Sequence, residues 1–276
     1  MKKISKLMAT FAFAFAALAQ AQSDTDYLWP TFAVTAGGFR VTTDDEIRID
    51  GTIGQDNASF DLSADLGLPE AETVFAAGFD WGVAEKHSLG VRYFALKREG
   101  SRSLSRDIQI GDTIFPVGAT VSGRVDEDTI EADYTYWFVR KEKFGFGGSL
   151  GLVYLAVDAE ASATFQLGGG GISVTRRNSA DTELPVPMIG LAVKGSPLNR
   201  LVLRAHAMVL PSVTIGDVSG SAATYSVGAE YYLVGPLALG ASYDGVFYDV
   251  DVDSSHWDGS VNLSSEGFRA YLRVAF

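Results

Sequence analysis

The sequence contains no cysteine, which excludes a disulfide framework and a thiol nucleophile alike. Histidine is scarce: His87, His206 and His256 are the three present. Base is outnumbered, with 22 Lys and Arg against 34 Asp and Glu and a net charge of −12. Such a chain has no electrostatic case for binding nucleic acid. Beyond the first 21 residues there is no apolar run of the about 20 residues that a transmembrane helix needs. If that part of the chain crosses a membrane, it must do so as strands.

What is present begins with a leader. Lys2, Lys3 and Lys6 form a positive start, Leu7 to Leu18 is apolar, and Ala19-Gln20-Ala21 fits a small-residue cleavage site. Residues 1–21 therefore read as a secretory signal peptide, cut after Ala21. Gln22, not Cys, follows, so nothing points to lipoprotein processing. Residues 22–276 would form one domain, with 19 bases against 34 acids and a net charge of −15.

The rest of the chain alternates with period two, the signature of strands that are apolar on one face. Candidate strands fall at 29–41, 73–82, from 87 on, 129–139, 144–157, 187–194, 200–210, 222–234, 237–250 and 267–276. Short turns are expected at 83–86, 140–143, 195–199 and 235–236, and longer excursions at 42–72, 97–128, after 157, at 211–221 and at 251–260. The 42–72 stretch holds nine acids and one base, Arg48. In the 97–128 stretch, Gly111-Asp112 separates Ile108-Gln109-Ile110 from Thr113-Ile114-Phe115 and predicts a hairpin. Pro185 and Pro187 cannot donate to a ladder, so they should mark a strand's start or a bulge.

The last ten residues carry the strongest signal. Phe268, Ala270, Leu272, Val274 and Phe276 share one face, with Arg269, Tyr271 and Arg273 on the other. This segment resembles the C-terminal assembly signal of Gram-negative outer-membrane barrels, which ends in Phe with apolar residues at alternate positions. A secreted β-sandwich also alternates. Against it stand glycines on the polar faces (Gly90, Gly147, Gly151, Gly190, Gly228, Gly240), aromatics near the ends of the apolar faces, and the alternation of short and long connections. The chain thus resembles the small outer-membrane β-barrel proteins, the broad class of OmpA-like and OmpW-like barrels. The expected fold is all-β: a transmembrane antiparallel up-and-down barrel of about ten strands, within roughly 8 to 12. The resemblance implies the Gram-negative outer membrane as location. It also implies outer-membrane lipids, lipopolysaccharide, periplasmic chaperones and the barrel-assembly machinery as partners.

The inward faces would collect a lumen charge network of Asp80, Arg92, Glu131, Asp133, Lys194, Arg204, His206, Glu230, Asp244, Arg269 and Arg273. Unpaired charge in a narrow lumen is costly, so opposite signs should pair and fill it. The expected function is that of a non-enzymatic integral barrel, with loops serving envelope structure or ligand and lipopolysaccharide contact. A narrow porin, or a channel for small solutes or apolar ligands, is the alternative. A lipid- or peptide-hydrolysing enzyme is the second alternative; it would need His206 or His256 close to a carboxylate or Ser. Proteases of the omptin type carry Asp-x-His, and this sequence has none. No cofactor, catalytic residue or resident metal is assigned. Asp249-Val250-Asp251-Val252-Asp253 lacks the Gly and Glu of a calcium loop, although the acidic loops remain candidates for sharing divalent cations. Lys97, Arg98, Arg102 and Arg106 are candidates for meeting lipopolysaccharide phosphates.

Overall fold

A computed structural model of the chain describes residues 27–50, 58–61, 63, 67–103, 108–110, 113–115, 117–118, 120–167, 172–253 and 258–276. The leader with Ala19 and Ala21, Arg106, the Gly111-Asp112 pair, the glycine run 168–171 and His256 lie outside the described residues.

Alternation this long folds as long strands. The barrel is built from β1 (Phe32–Asp50), β3 (Ala71–Ala84), β4 (His87–Ser103), β7 (Thr120–Lys141), β8 (Phe144–Leu167), β9 (Ile172–Leu198), β10 (Leu201–Ile215), β11 (Val218–Val234), β12 (Leu237–Asp253) and β13 (Asp258–Ala275). Each pairs antiparallel with its neighbour in the chain. β13 then pairs with β1, from Ala33↔Ala275 through Asp50↔Asp258, and this closes the sheet. The result is an all-β, closed, ten-stranded up-and-down barrel. A short strand, β2 (Ala58–Asp61), lies beside the end of β1. The strands β5 (Ile108–Ile110) and β6 (Thr113–Phe115) pair as the hairpin expected there.

The strands are longer than the sequence pattern indicated, running from 14 residues in β3 to 27 in β9. A tilted membrane strand needs only about 9–11. The surplus extends from one end only. The near end carries the two-residue turns at 85–86, 142–143, 199–200 and 235–236. At the far end the described residues of the expected excursions are mostly strand. The expected loop at 211–221 is a continuation of β10 and β11 around a two-residue turn at Gly216, whose φ of +64° suits glycine. The expected turn at 195–199 shifts to 199–200, because Gly195 to Leu198 stay in β9.

Pro185 and Pro187 neither start a strand nor sit at a bulge. They pair opposite Tyr154 and Leu152 of β8, inside β9. β9 pairs with β10 only from Ile189 onward, so the prolines occupy a stretch whose other side is an open edge, where a missing N–H is tolerated.

The outward face shows where the apolar band ends. Along β7 it reads Phe138, Tyr136, Tyr134, Ala132, Ile130 and then Asp128 and Asp126; along β4 it reads Leu89, Val91, Tyr93, Ala95 and then Lys97. Exposed Phe79, Leu150, Ile189, Leu239, Phe268 and Leu272 continue the band around the barrel. Aromatic rings mark its rims. Phe32 stacks with Trp81 at the near end (6.0 Å), and Tyr225 meets Tyr243 at 6.1 Å toward the far end. A belt of this form belongs against lipid.

Candidate functional site: the filled lumen

Inward positions alternate with that belt, so the lumen lining is dictated strand by strand. Glycines make room for it. A side chain at Gly37 or Gly240 would collide with Tyr271, which lies across both. Tyr271 in turn donates its hydroxyl to Glu230 at 3.2 Å.

At the near end the chain folds back into the opening before β1 starts. Leu28 is buried among Ala33, Val202, Tyr232, Ala238 and Ala275. Tyr27 packs on Tyr232 with ring centroids 4.3 Å apart. The Trp29 indole N–H donates to the Lys141 carbonyl at 2.9 Å. These residues form an aromatic plug, where the sequence pattern indicated only a strand starting at 29.

Above the plug lies the charge layer. Arg273 pairs with Asp80 at 2.5 Å and approaches Glu230 at 3.4 Å; Arg204 pairs with Glu230 at 3.0 Å. Arg92 bridges Glu131 at 2.5 Å and Asp133 at 3.0 Å. Arg269 pairs with Asp244 at 3.1 Å. Lys194 stands apart from this pairing: its Nζ lies over the rings of Trp29 (3.8 Å) and Trp137 (4.5 Å).

His206 is the histidine of chemical interest. Its Nε2 is 3.2 Å from the Ser149 hydroxyl, and its Nδ1 is 3.7 Å from Glu131. Ser149 also shares a 2.8 Å hydrogen bond with Thr135, whose hydroxyl donates to Asp133 at 3.1 Å. This has the order of a Ser-His-acid relay, but two features weaken it. The His–Glu separation is too long for a hydrogen bond, and Ser149 is 4% exposed. Glu131, Asp133 and His206 also come close enough to hold a metal ion. The Arg92 guanidinium already bonds both carboxylates, so it supplies the positive charge a metal would bring. His256, the other histidine the enzyme alternative named, lies outside the described residues; His87 shares a 2.6 Å hydrogen bond with the Tyr134 hydroxyl near the turn.

Farther up, the lumen becomes apolar. Val153, Leu155, Met188, Met208, Ala222 and Tyr248 form one cluster, and Phe39, Val41, Ala76 and Leu96 another. The sequence reading treated inward faces as polar and missed these layers. The signal was visible in β8, where Val153, Leu155 and Val157 continue the inward series of Gly147, Ser149 and Gly151.

Beyond the end of the lipid band sits a last polar group. Arg98 is 1% exposed and bonds Asp45, Glu127 at 2.7 Å and Thr43 at 2.7 Å. It points inward, buried against these three partners, so it cannot meet lipopolysaccharide, contrary to the expectation for Arg98. Lys97, outward and exposed, pairs with Asp126 at 3.3 Å. Burial pushes the Glu127 carboxyl up to about 6, against the pull of Arg98, and raises Asp45 as well. One guanidinium faces two carboxylates here. Asp249 and Asp251 stand exposed on an unbroken β12, opposite Asn262 and Ser260.

No protein-family model and no curated relative matches the sequence. Among solved structures, the outer-membrane protease OmpT of Escherichia coli is similar, with a TM-score of 0.57 over 94% of this chain and 100% of that one, at 10% identity. The toluene transporter TodX of Pseudomonas putida gives 0.35 over 95% and 92%, at 11% identity. Ail of Yersinia pestis gives 0.29 over 87% and 97%, at 12% identity. The last two likenesses are weak, and at 10% identity the first shows fold, not activity. The chain has the fold of the small Gram-negative outer-membrane β-barrels.

Proposed function

We propose that this protein is a non-enzymatic integral barrel of the Gram-negative outer membrane, with a closed lumen, whose far end serves envelope structure or contact with ligands and lipopolysaccharide. The observation that carries this reading is the filling of the lumen by successive layers: aromatic plug, ion pairs, apolar clusters and the Arg98 group. In this reading the near end with its short turns is periplasmic and the extended far end is extracellular. Residues 1–21 direct export and are removed after Ala21. Periplasmic chaperones deliver the chain, and the assembly machinery reads Phe268, Ala270, Leu272, Val274 and Phe276. Exposed far-end carboxylates such as Asp249 and Asp251 share divalent cations with lipopolysaccharide phosphates. The test is solute flux through liposomes that carry the refolded mature chain, shown to be folded by heat-modifiable migration. Retention of small sugars supports the reading; free exchange replaces it with a narrow channel.

One observation favours a second reading, a lumenal hydrolase: the 3.2 Å contact between His206 and Ser149. A serine-directed fluorophosphonate probe decides it. Labelling of the native barrel that disappears in Ser149→Ala establishes a nucleophile; an unlabelled native barrel removes the enzyme.

A further inference from the structure

Between the plug and the charge layer lies a cavity of about 330 Å³ that reaches the near rim at Ala84, Glu85 and Arg140. Its wall includes Lys194, Arg204, Arg273 and Arg92, together with the carboxylates Asp80 and Asp133. Lys194 and Arg204 are directly opposed in the β9–β10 register, and both side chains point inward. Like charges placed opposite each other in a sheet repel. Arg204 is drawn to Glu230 through its Nε, which leaves its buried Nη2 without a hydrogen-bond partner. Arg273, 2% exposed, uses Nη1 on Asp80 and likewise leaves Nη2 unpartnered. Lys194 is 7% exposed, and among the described residues its contacts are the two indole faces. An aromatic face attracts the ammonium but accepts few of its three N–H donors. Nearby Asp80 and Glu230 are already engaged by the two arginines, and Glu131 and Asp133 by Arg92.

We propose that this cavity is a binding site for a small oxyanion, a phosphate or carboxylate admitted from the periplasmic side and held by Lys194, with Arg204 and Arg273 lining the same wall. Such a ligand offers several acceptor oxygens to cationic donors in one place. It also offsets the repulsion between Lys194 and Arg204. The proposal rests on the barrel and its orientation, and is independent of whether the barrel has enzymatic activity.

The test uses the refolded mature barrel in detergent, titrated in parallel with inorganic phosphate, acetate and, as ionic-strength control, chloride. Trp29 and Trp137 flank Lys194, so indole fluorescence reports the site. Phosphate or acetate should give a saturable change that chloride does not, and should raise the unfolding midpoint with the same half-saturation. Whichever of the two saturates identifies the oxyanion. Lys194→Met should weaken binding at least tenfold, Lys194→Arg should retain it, and Glu127→Gln, remote at the far end, should titrate as the parent does. The midpoint measurement on the unaltered chain serves if Lys194→Met does not fold. A response to both oxyanions that matches chloride, or a Lys194→Met barrel that titrates like the parent, overturns the proposal.

Discussion

Trp29 stands edge-on to Trp137, with ring centroids 5.1 Å apart and planes at 88°. Residues far apart in the chain thus fix the segment before β1 across the near opening. The pair joins the plug to the wall, and the Trp29 N–H bond to Lys141 locks its position.

Trp29→Ala should therefore unfasten the plug without unfolding the barrel. A loss of about 3–5 kcal/mol is expected for removing a packed indole, reduced where the ring keeps access to solvent. Acrylamide quenching of the remaining tryptophans should rise, because Trp137 becomes accessible. Unchanged quenching and stability would show that the plug is not held there.

Arg273 joins β13 to β3 across β1 through Asp80 and also faces Glu230. Arg273→Met strands Asp80 in the lumen and leaves Glu230 to Arg204 alone, and a destabilisation of about 3–5 kcal/mol is expected. Adding Asp80→Asn should recover part of it, since one stranded charge is removed. The urea midpoint of the heat-modifiable form measures both steps.

Ten strands and their inward charges were legible because alternation fixes which residues share a face, whatever the strand's exact length. Strand ends were not. The pattern loses its apolar face where the strand leaves lipid, so Thr120 to Asp128 looked like loop although it continues β7 in register with β4 and β8. Arg98 illustrates the same limit. Its neighbours Lys97 and Arg102 suggested a basic surface, and only parity along an extended β4 turns it inward, onto acids from β1 and β7. The plug had no periodic signal at all, being a single turn of irregular chain.

The Arg98 group gives a pH prediction. Glu127 sits near 6 in the fold, above its ordinary value of 4.5. Its contribution to stability is fully present below the unfolded value and is lost as pH rises through the folded one. Across the whole titration the barrel should lose about 2 kcal/mol, most of it between pH 4.5 and 6. Denaturant midpoints across pH 4.5–7.5 read this directly, and Glu127→Gln should flatten the curve. A parent curve that rises with pH over that window would contradict the assignment.

Phe276 exchanges two backbone hydrogen bonds with Phe32, at 2.9 and 2.7 Å, at the seam where the last strand meets the first. Deleting Phe276 removes both bonds and the last outward aromatic of the terminal strand. Less folded protein should reach the outer membrane, seen as a smaller heat-modifiable fraction in membrane preparations. In detergent, refolding of the purified variant should be affected far less. Equal losses in both settings would make the residue structural and not an assembly signal.

The central claim is that the lumen is closed, and single-channel recording in a planar bilayer tests it most directly. The refolded mature chain, residues 22–276, is expected to insert and give no steady conductance. Reproducible single-channel steps from protein shown to be folded would contradict the claim, and the barrel would then be a pore.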